Sequence, residues 1–129
     1  MVIFKKNYHT NPLVLQYLKK GTSSAESLTL SFWVRSSVSG TYYGYFLTQG
    51  GTQYMYPFEF TLAADTWTKI TKTIPGFASL SVPNDNTEGL SFTLAPYWGS
   101  DFTDNTCVLD AWKVFASGSR SPDYTNGWN

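Results

Sequence analysis

The segment 28–37, LTLSFWVRSS, constrains the fold of this chain more than any other. Two chemically different sets of residues alternate in it: Leu28, Leu30, Phe32 and Val34 in one set, and Thr29, Ser31, Trp33 and Arg35 in the other. Because successive side chains of a β-strand point to opposite faces, this period of two predicts a strand with one buried face. We expect Leu30, Phe32 and Val34 to be buried, and Thr29 and Ser31 to face more polar surroundings.

Composition limits the class of protein. The chain has 129 residues, which suits a single domain over residues 1–129 with one core. Aromatic residues make up 18% and charged residues 14%, against about 25% charged residues in an average domain. This is the opposite of a disordered composition. The net charge is zero, so no overall field favours nucleic acid or an anionic membrane as a partner.

The start of the chain gives no sign of targeting to a membrane. The first six residues, MVIFKK, contain no apolar run long enough for a signal peptide or a membrane span. We therefore expect no membrane insertion and no export through a cleavable signal.

One short helix is predicted near the N-terminus, over residues 11–21 (NPLVLQYLKKG). Asn11 suits the N-cap, Pro12 the first helical position, and Gly21 the position after the last turn. A helix of about two turns is unstable alone in water, so it must dock on the rest of the domain.

The remaining elements are predicted as strands with short turns between them. Beyond the first strand they cover residues 41–47, 53–61, 67–74, 89–95 and 108–115. Pro57 cannot donate a backbone hydrogen bond, so its strand should lie at an edge or bulge there. With no βαβ rhythm, this pattern predicts an all-β fold: two packed antiparallel sheets in a jelly-roll-like β-sandwich.

The strand predicted at 53–61 has one face made only of aromatic residues. Tyr54, Tyr56, Phe58 and Phe60 share that face. Unless it is wholly internal, it exceeds the apolar patch that a monomer usually exposes, and it would favour self-association. Trp33 and Trp67 are assigned to core or inter-sheet packing.

Short matches spread over residues 16–104 resemble a β-sandwich domain of tailed-phage tail-fibre and related virion proteins. They are residues 18–22, Ala25, residues 28–36, 40–42 and 64–67, Thr71, and residues 74–75 and 99–102. That domain is itself similar to carbohydrate-binding modules of jelly-roll type. The resemblance implies a virion protein assembled in the host cytoplasm, with other virion proteins as partners and a homotrimer as the favoured oligomer.

The chain departs from that family in two places. The segment before Asn11 matches poorly, and the closing strand of the family is missing before Asn129. Either the strand at 108–115 closes the sheet instead, or an edge stays open. An open edge invites pairing with another chain.

Little in the sequence supports catalysis or a cofactor. His9 is the single histidine and Cys107 the single cysteine, so neither a nucleophile with its base nor a cysteine metal site is expected. Glu59, Glu88 and the aspartates could supply the carboxylate pair of a glycosidase. They lie mostly in turns, however, where exposure to solvent explains them. Asp101, Asp104 and Asn105 are candidate calcium ligands, although turn formation explains them better. We predict no enzyme activity, no cofactor and no metal.

The aromatic residues suggest a binding role. A sugar is recognised by stacking its C–H face on a ring while polar side chains bond its hydroxyls. The candidate ligand-binding residues are Tyr42, Tyr43, Tyr45, Tyr97, Trp98 and Asp101. We expect a non-enzymatic attachment or structural protein of a virion, in a fibre, the tail or a capsid decoration, that also contacts host-surface glycan. The alternative is a carbohydrate-binding module of a larger glycan-active system.

Overall fold

The strands of this protein form two antiparallel sheets packed face to face. The computed structural model describes residues 9–10, 19–80 and 88–124. Its strands are β1 (His9–Thr10), β2 (Leu28–Val34), β3 (Gly40–Thr48), β4 (Tyr54–Leu62), β5 (Thr68–Ile74), β6 (Leu90–Ala95) and β7 (Lys113–Val114), and a 3₁₀ helix covers Ser100–Phe102. One sheet has the order β1-β6-β3-β4-β7, and the other contains β2 and β5. The predicted β-sandwich is confirmed.

The pairings explain why the fold is jelly-roll-like. β3 pairs with β4, β2 with β5, and β1 with β6, so each pair encloses the previous one along the chain. The second pair lies in one sheet and the other two pairs lie in the opposite sheet. This is the arrangement of one long hairpin folded over on itself, as in a jelly roll.

The core lies between the two sheets and is mostly aromatic. From β2, Val34 is fully buried, whereas Leu30 and Phe32 are half-buried and pack against the core, and Thr29 and Ser31 are exposed. The predicted two-faced strand is therefore confirmed, with shallower burial at two positions. The Phe32 ring packs edge-on against Phe60, with ring centroids 5.8 Å apart.

The aromatic face of β4 is internal. Tyr56, Phe58 and Phe60 are buried between the sheets, and Tyr54 is half-buried beside Phe77, with ring centroids 4.9 Å apart. This face consequently gives no reason to expect self-association.

Several predicted elements need correction or fall outside the described residues. The strand predicted at 108–115 is only two residues long, because Asp110 has a positive φ of 55°, which breaks extended backbone. At Pro57 no strand pairs with the outer side of β4, since β7 pairs only with Tyr54 and Met55, and the Asp110 amide donates to the Pro57 carbonyl oxygen (2.8 Å). Most of the helix predicted over residues 11–21 lies outside the described residues.

Candidate functional site

The three tyrosines predicted to contact a ligand from β3 are buried. Tyr42, Tyr43 and Tyr45 expose only 1%, 6% and 6% of their surface. Tyr42 points into the core between the sheets, where its ring stacks on Phe60, with centroids 6.0 Å apart. Tyr43 and Tyr45 point to the other face of the sheet, because neighbouring side chains of a strand alternate. These three rings therefore form no shared open surface.

The outer face of the five-stranded sheet is covered by the chain between residues 97 and 124. Tyr43 packs edge-on against Tyr124 (5.0 Å between centroids), and Tyr45 packs against Trp98 (6.4 Å). The Tyr124 hydroxyl donates to the Ala95 carbonyl oxygen (2.8 Å). Burial raises the pKa of Tyr43 and that of Tyr124 above their ordinary values. Tyr43 and Tyr124 belong to the same hydrophobic cluster as the residues between the sheets, so this layer extends the core.

The remaining predicted ligand contacts lie at the edge of this layer. Tyr97 is 42% exposed and Asp101 is exposed, whereas Trp98 is half-buried. The Arg120 guanidinium lies 4.8 Å from the ring centroid of Trp98 and 4.6 Å from that of Phe102. Because this cation occupies both rings, Tyr97 has the most open ring among the predicted ligand contacts. The ligand-binding assignment of this group stays a prediction.

The candidate calcium ligands form turns. The Asp104 carboxylate accepts hydrogen bonds from the Thr106 amide (2.8 Å) and hydroxyl (2.7 Å), which hold the pKa of that carboxyl below its usual range. The Asn105 amide donates to the Asp123 carboxylate (3.0 Å) and accepts from the Asp123 backbone amide (2.9 Å). In residues 9–10, 19–80 and 88–124, no group of three acidic, histidine or cysteine side chains is placed to hold a metal ion.

The remaining groups considered for chemistry are dispersed. Cys107 is a buried free thiol, as expected for a small core residue, and it accepts a hydrogen bond from the Lys113 ammonium, with 3.1 Å between Nζ and Sγ. His9 lies in β1, where it pairs with Ser91.

Across the part of the chain that the structure describes, no helix is long and apolar enough to span a bilayer.

Two tryptophans predicted to be in the core are instead on the surface. Trp33 is 60% exposed and Trp67 is 52% exposed. Trp33 belongs to the outer face of β2, together with Thr29 and Ser31, because it alternates with the residues that pack inward. The assignment of Trp33 and Trp67 to core packing is therefore wrong.

The register of β2 and β5 brings both tryptophans to the same face. Trp33 lies directly across from Lys69, and Val34 across from Thr68. Trp67 immediately precedes β5 and, by alternation, shares the outer face with Lys69. Trp67 is next to Thr68, and Trp33 is next to Val34, the strand partner of Thr68.

Hydroxyl groups continue this face along both strands. Ser31 lies across from Thr71, and Thr29 from Thr73, with 3.2 Å between the two threonine hydroxyl oxygens. We call Ser31, Trp33, Trp67, Lys69 and Thr71 the tryptophan surface. The strict alternation in residues 28–35 already placed Trp33 with the polar residues, so this signal was present in the sequence.

An ion pair borders the tryptophan surface at the end of β2. The Arg35 guanidinium donates to the Asp65 carboxylate (2.8 Å), and both side chains are exposed. Asp65 has a positive φ of 56° in the turn between β4 and β5. This turn places Trp67 beside the end of β2.

Comparison of the chain with family models, with curated proteins and with solved structures found no match.

Proposed function

We propose that this protein is a non-enzymatic attachment domain that binds surface carbohydrate through the tryptophan surface. The observation that carries the proposal is that Trp33 and Trp67 are both more than half exposed and flank the paired residues Val34 and Thr68. Large aromatic side chains normally bury most of their area, so two exposed indoles on one small sheet need an explanation.

The chemistry of the surface favours a sugar over a protein as its ligand. An indole ring offers a flat apolar face for the C–H face of a pyranose, and the neighbouring hydroxyls of Ser31 and Thr71 can bond sugar hydroxyls. The centre of a protein interface is usually depleted of charge. Here Lys69 lies directly opposite Trp33, and the Arg35–Asp65 ion pair lies at the border.

A place in the virion of a tailed phage is part of the proposal. Its support is the sequence resemblance over residues 16–104 and the β-sandwich fold, which suits rigid display of a binding face. Repeated copies in a particle would turn weak contacts of single domains into firm attachment. The alternative is a carbohydrate-binding module of a larger glycan-active system. Mass spectrometry of purified particles distinguishes the two, because the module would be missing from them.

Glycan-array binding of the purified chain tests the ligand class. We expect Trp33→Ala and Trp67→Ala to reduce binding at least several-fold with the melting temperature unchanged, because both side chains are exposed. Tyr97→Ala is the matched control: it removes an exposed aromatic ring (42%) from the other sheet's outer layer and should leave binding unchanged.

Two outcomes would contradict the proposed site. Loss of binding only in Tyr97→Ala would move the site to the Tyr97–Asp101 region predicted from the sequence. Absence of binding to every glycan by the wild-type chain, displayed in multivalent form, would refute a carbohydrate-binding function.

Assembly with other virion proteins or with further copies is a second proposed function. In the described part of the chain, β2 and β5 pair only with each other, so this sheet has an edge on each side. Exposed edges favour strand pairing between chains. Sedimentation should then show association, with a trimer favoured. A monomer at high concentration, with no virion partner recovered by crosslinking, would contradict it.

A further inference from the structure

Lys69 gives the tryptophan surface a specific charge. It lies directly across from Trp33, is exposed, and shares the outer face with Trp67. We propose that this surface takes an acidic glycan, a polymer that contains uronic or sialic acid, and that the Lys69 ammonium pairs with its carboxylate. This inference rests on the proposed carbohydrate-binding function.

The described charged groups near Lys69 are paired with one another. Arg35 and Asp65 neutralise each other at 2.8 Å. Lys72, on the opposite face of β5, lies 3.7 Å from the Asp110 carboxylate and over the Phe58 ring. Among the described residues, no carboxylate forms an ion pair with Lys69. The tryptophan surface with its bordering ion pair therefore has one net positive charge.

The strand pairing places this charge within reach of a stacked sugar. Residues directly opposite in an antiparallel pair have Cβ atoms about 4.5–5.5 Å apart. A pyranose lying on the Trp33 ring would therefore hold its substituents next to the lysine side chain, which is long and flexible. A carboxylate at the rim of the sugar then meets an ammonium, whereas a neutral hydroxymethyl group would not gain this interaction.

The balance of charge over the whole protein makes the inference testable. Nine basic and nine acidic residues cancel, so no overall field attracts polyanions. A preference for the acidic form of a glycan would consequently have to come from local groups.

The test compares each acidic polymer with its own carboxyl-reduced form. The probes are polygalacturonate, alginate, hyaluronan and polysialic acid, immobilised and measured at low salt. Because an exposed ion pair contributes up to about 1 kcal/mol, we expect the wild-type chain to bind at least one acidic form about fivefold more tightly than its reduced form. This difference should diminish as salt is added.

Substitutions of Lys69 and Lys19 show which charge causes the preference for the acidic polymer. Lys69→Gln should bind both forms equally, at the level of the reduced polymer, and Lys69→Arg should keep most of the preference. Lys19→Gln removes the same charge from an exposed lysine that lies 3.4 Å from Glu26, and it should behave as wild type.

The outcomes separate the inference from the proposed function. Equal binding of both forms by wild type, or a preference that survives Lys69→Gln, would overturn the acidic-glycan inference while carbohydrate binding stands. Binding only to neutral glycans of the array would do the same. Binding to no glycan at all would overturn both.

Discussion

The Tyr42 hydroxyl oxygen lies 2.6 Å from the Ser36 hydroxyl oxygen in the interior of the sandwich. The Tyr42 hydroxyl donates to the Val38 carbonyl (2.7 Å), and the Val38 amide donates to the Ser36 hydroxyl (3.1 Å), so the serine hydroxyl is left to donate to Tyr42. These three bonds form a closed ring. They fix the turn by which the chain crosses from β2 in one sheet to β3 in the other.

We predict that Tyr42→Phe lowers the free energy of unfolding by about 1–3 kcal/mol, because a buried hydrogen-bond partner is lost. Urea unfolding measures this change. Tyr45→Phe is the matched control: within the described residues, no hydrogen bond involves its hydroxyl, so its effect should be small. Equal effects of the two substitutions would show that the ring of hydrogen bonds contributes nothing specific.

We predict that Gly44→Ala lowers the free energy of unfolding by about 1–3 kcal/mol, the usual range for overpacking a core. A Cβ atom at Gly44 would lie 2.5 Å from Leu94 Cδ2 and 2.9 Å from Phe58 Cζ. Gly99→Ala is the control, since its Cβ would meet nothing within 4 Å. Thermal unfolding of both variants decides the matter, and a fully stable Gly44→Ala chain would contradict the packing.

We predict that Phe32→Ala costs about 3 kcal/mol, near the lower end for removal of a core phenylalanine. Its ring packs against Phe60 and Phe92 but is only half-buried. Ser31→Ala, next to it on the exposed face, should change stability by less than about 0.5 kcal/mol. Chemical denaturation compares the two. Tolerance of Phe32→Asp would contradict the inward orientation of this ring.

Stability should fall in alkaline solution. Burial raises the pKa of Tyr124, and also the pKa of Tyr43 and that of Tyr56. A group whose pKa is raised by folding stabilises fully below its unfolded value, about 10 for tyrosine, and loses this contribution as the pH rises toward the folded value. Lys20 acts in the opposite sense, since burial lowers its pKa.

Urea unfolding from pH 8 to about pH 12 tests the alkaline prediction, and that range spans the unfolded pKa of tyrosine. Tyr124→Phe should be less stable than wild type at pH 8, because the bond to the Ala95 carbonyl is lost, but its stability should fall less with pH. An unchanged slope in Tyr124→Phe would contradict the assignment.

Sequence periodicity predicted much of the fold but not the layer that covers the outer face of the five-stranded sheet. Alternation in β2 gave its buried face, and Gly50 and Gly51, with φ of 92° and 56°, occupy the hairpin turn expected there. The chain between residues 97 and 124 has almost no regular structure. Its sequence therefore has no hydrophobic periodicity from which its position over Tyr43 and Tyr45 could be predicted. Local patterns report which residues alternate, not which distant segment lies above them.

The burial of the candidate residues on β3 was missed for a related reason. Tyr42, Tyr43 and Tyr45 lie in the strand predicted at 41–47, but the sequence does not show that this strand is covered on both faces. Gly44 lies among them because Leu94 and Phe58 leave no room for a side chain. The assignment of Trp33 to the core disregards its position in the alternation, which puts it on the polar face. In this strand the period was a better guide than hydrophobicity.

The nesting of the strand pairs also bears on how the chain folds. The β3–β4 hairpin can form as soon as residues 40–62 have been synthesised. The β2–β5 pair requires the chain to extend to Ile74, and the β1–β6 pair requires it to extend past Leu90. Each outer pair closes a longer loop, and such non-local topologies fold slowly, in milliseconds to seconds. During synthesis, β2 would emerge long before its partner and remain unpaired until most of the chain has left the ribosome.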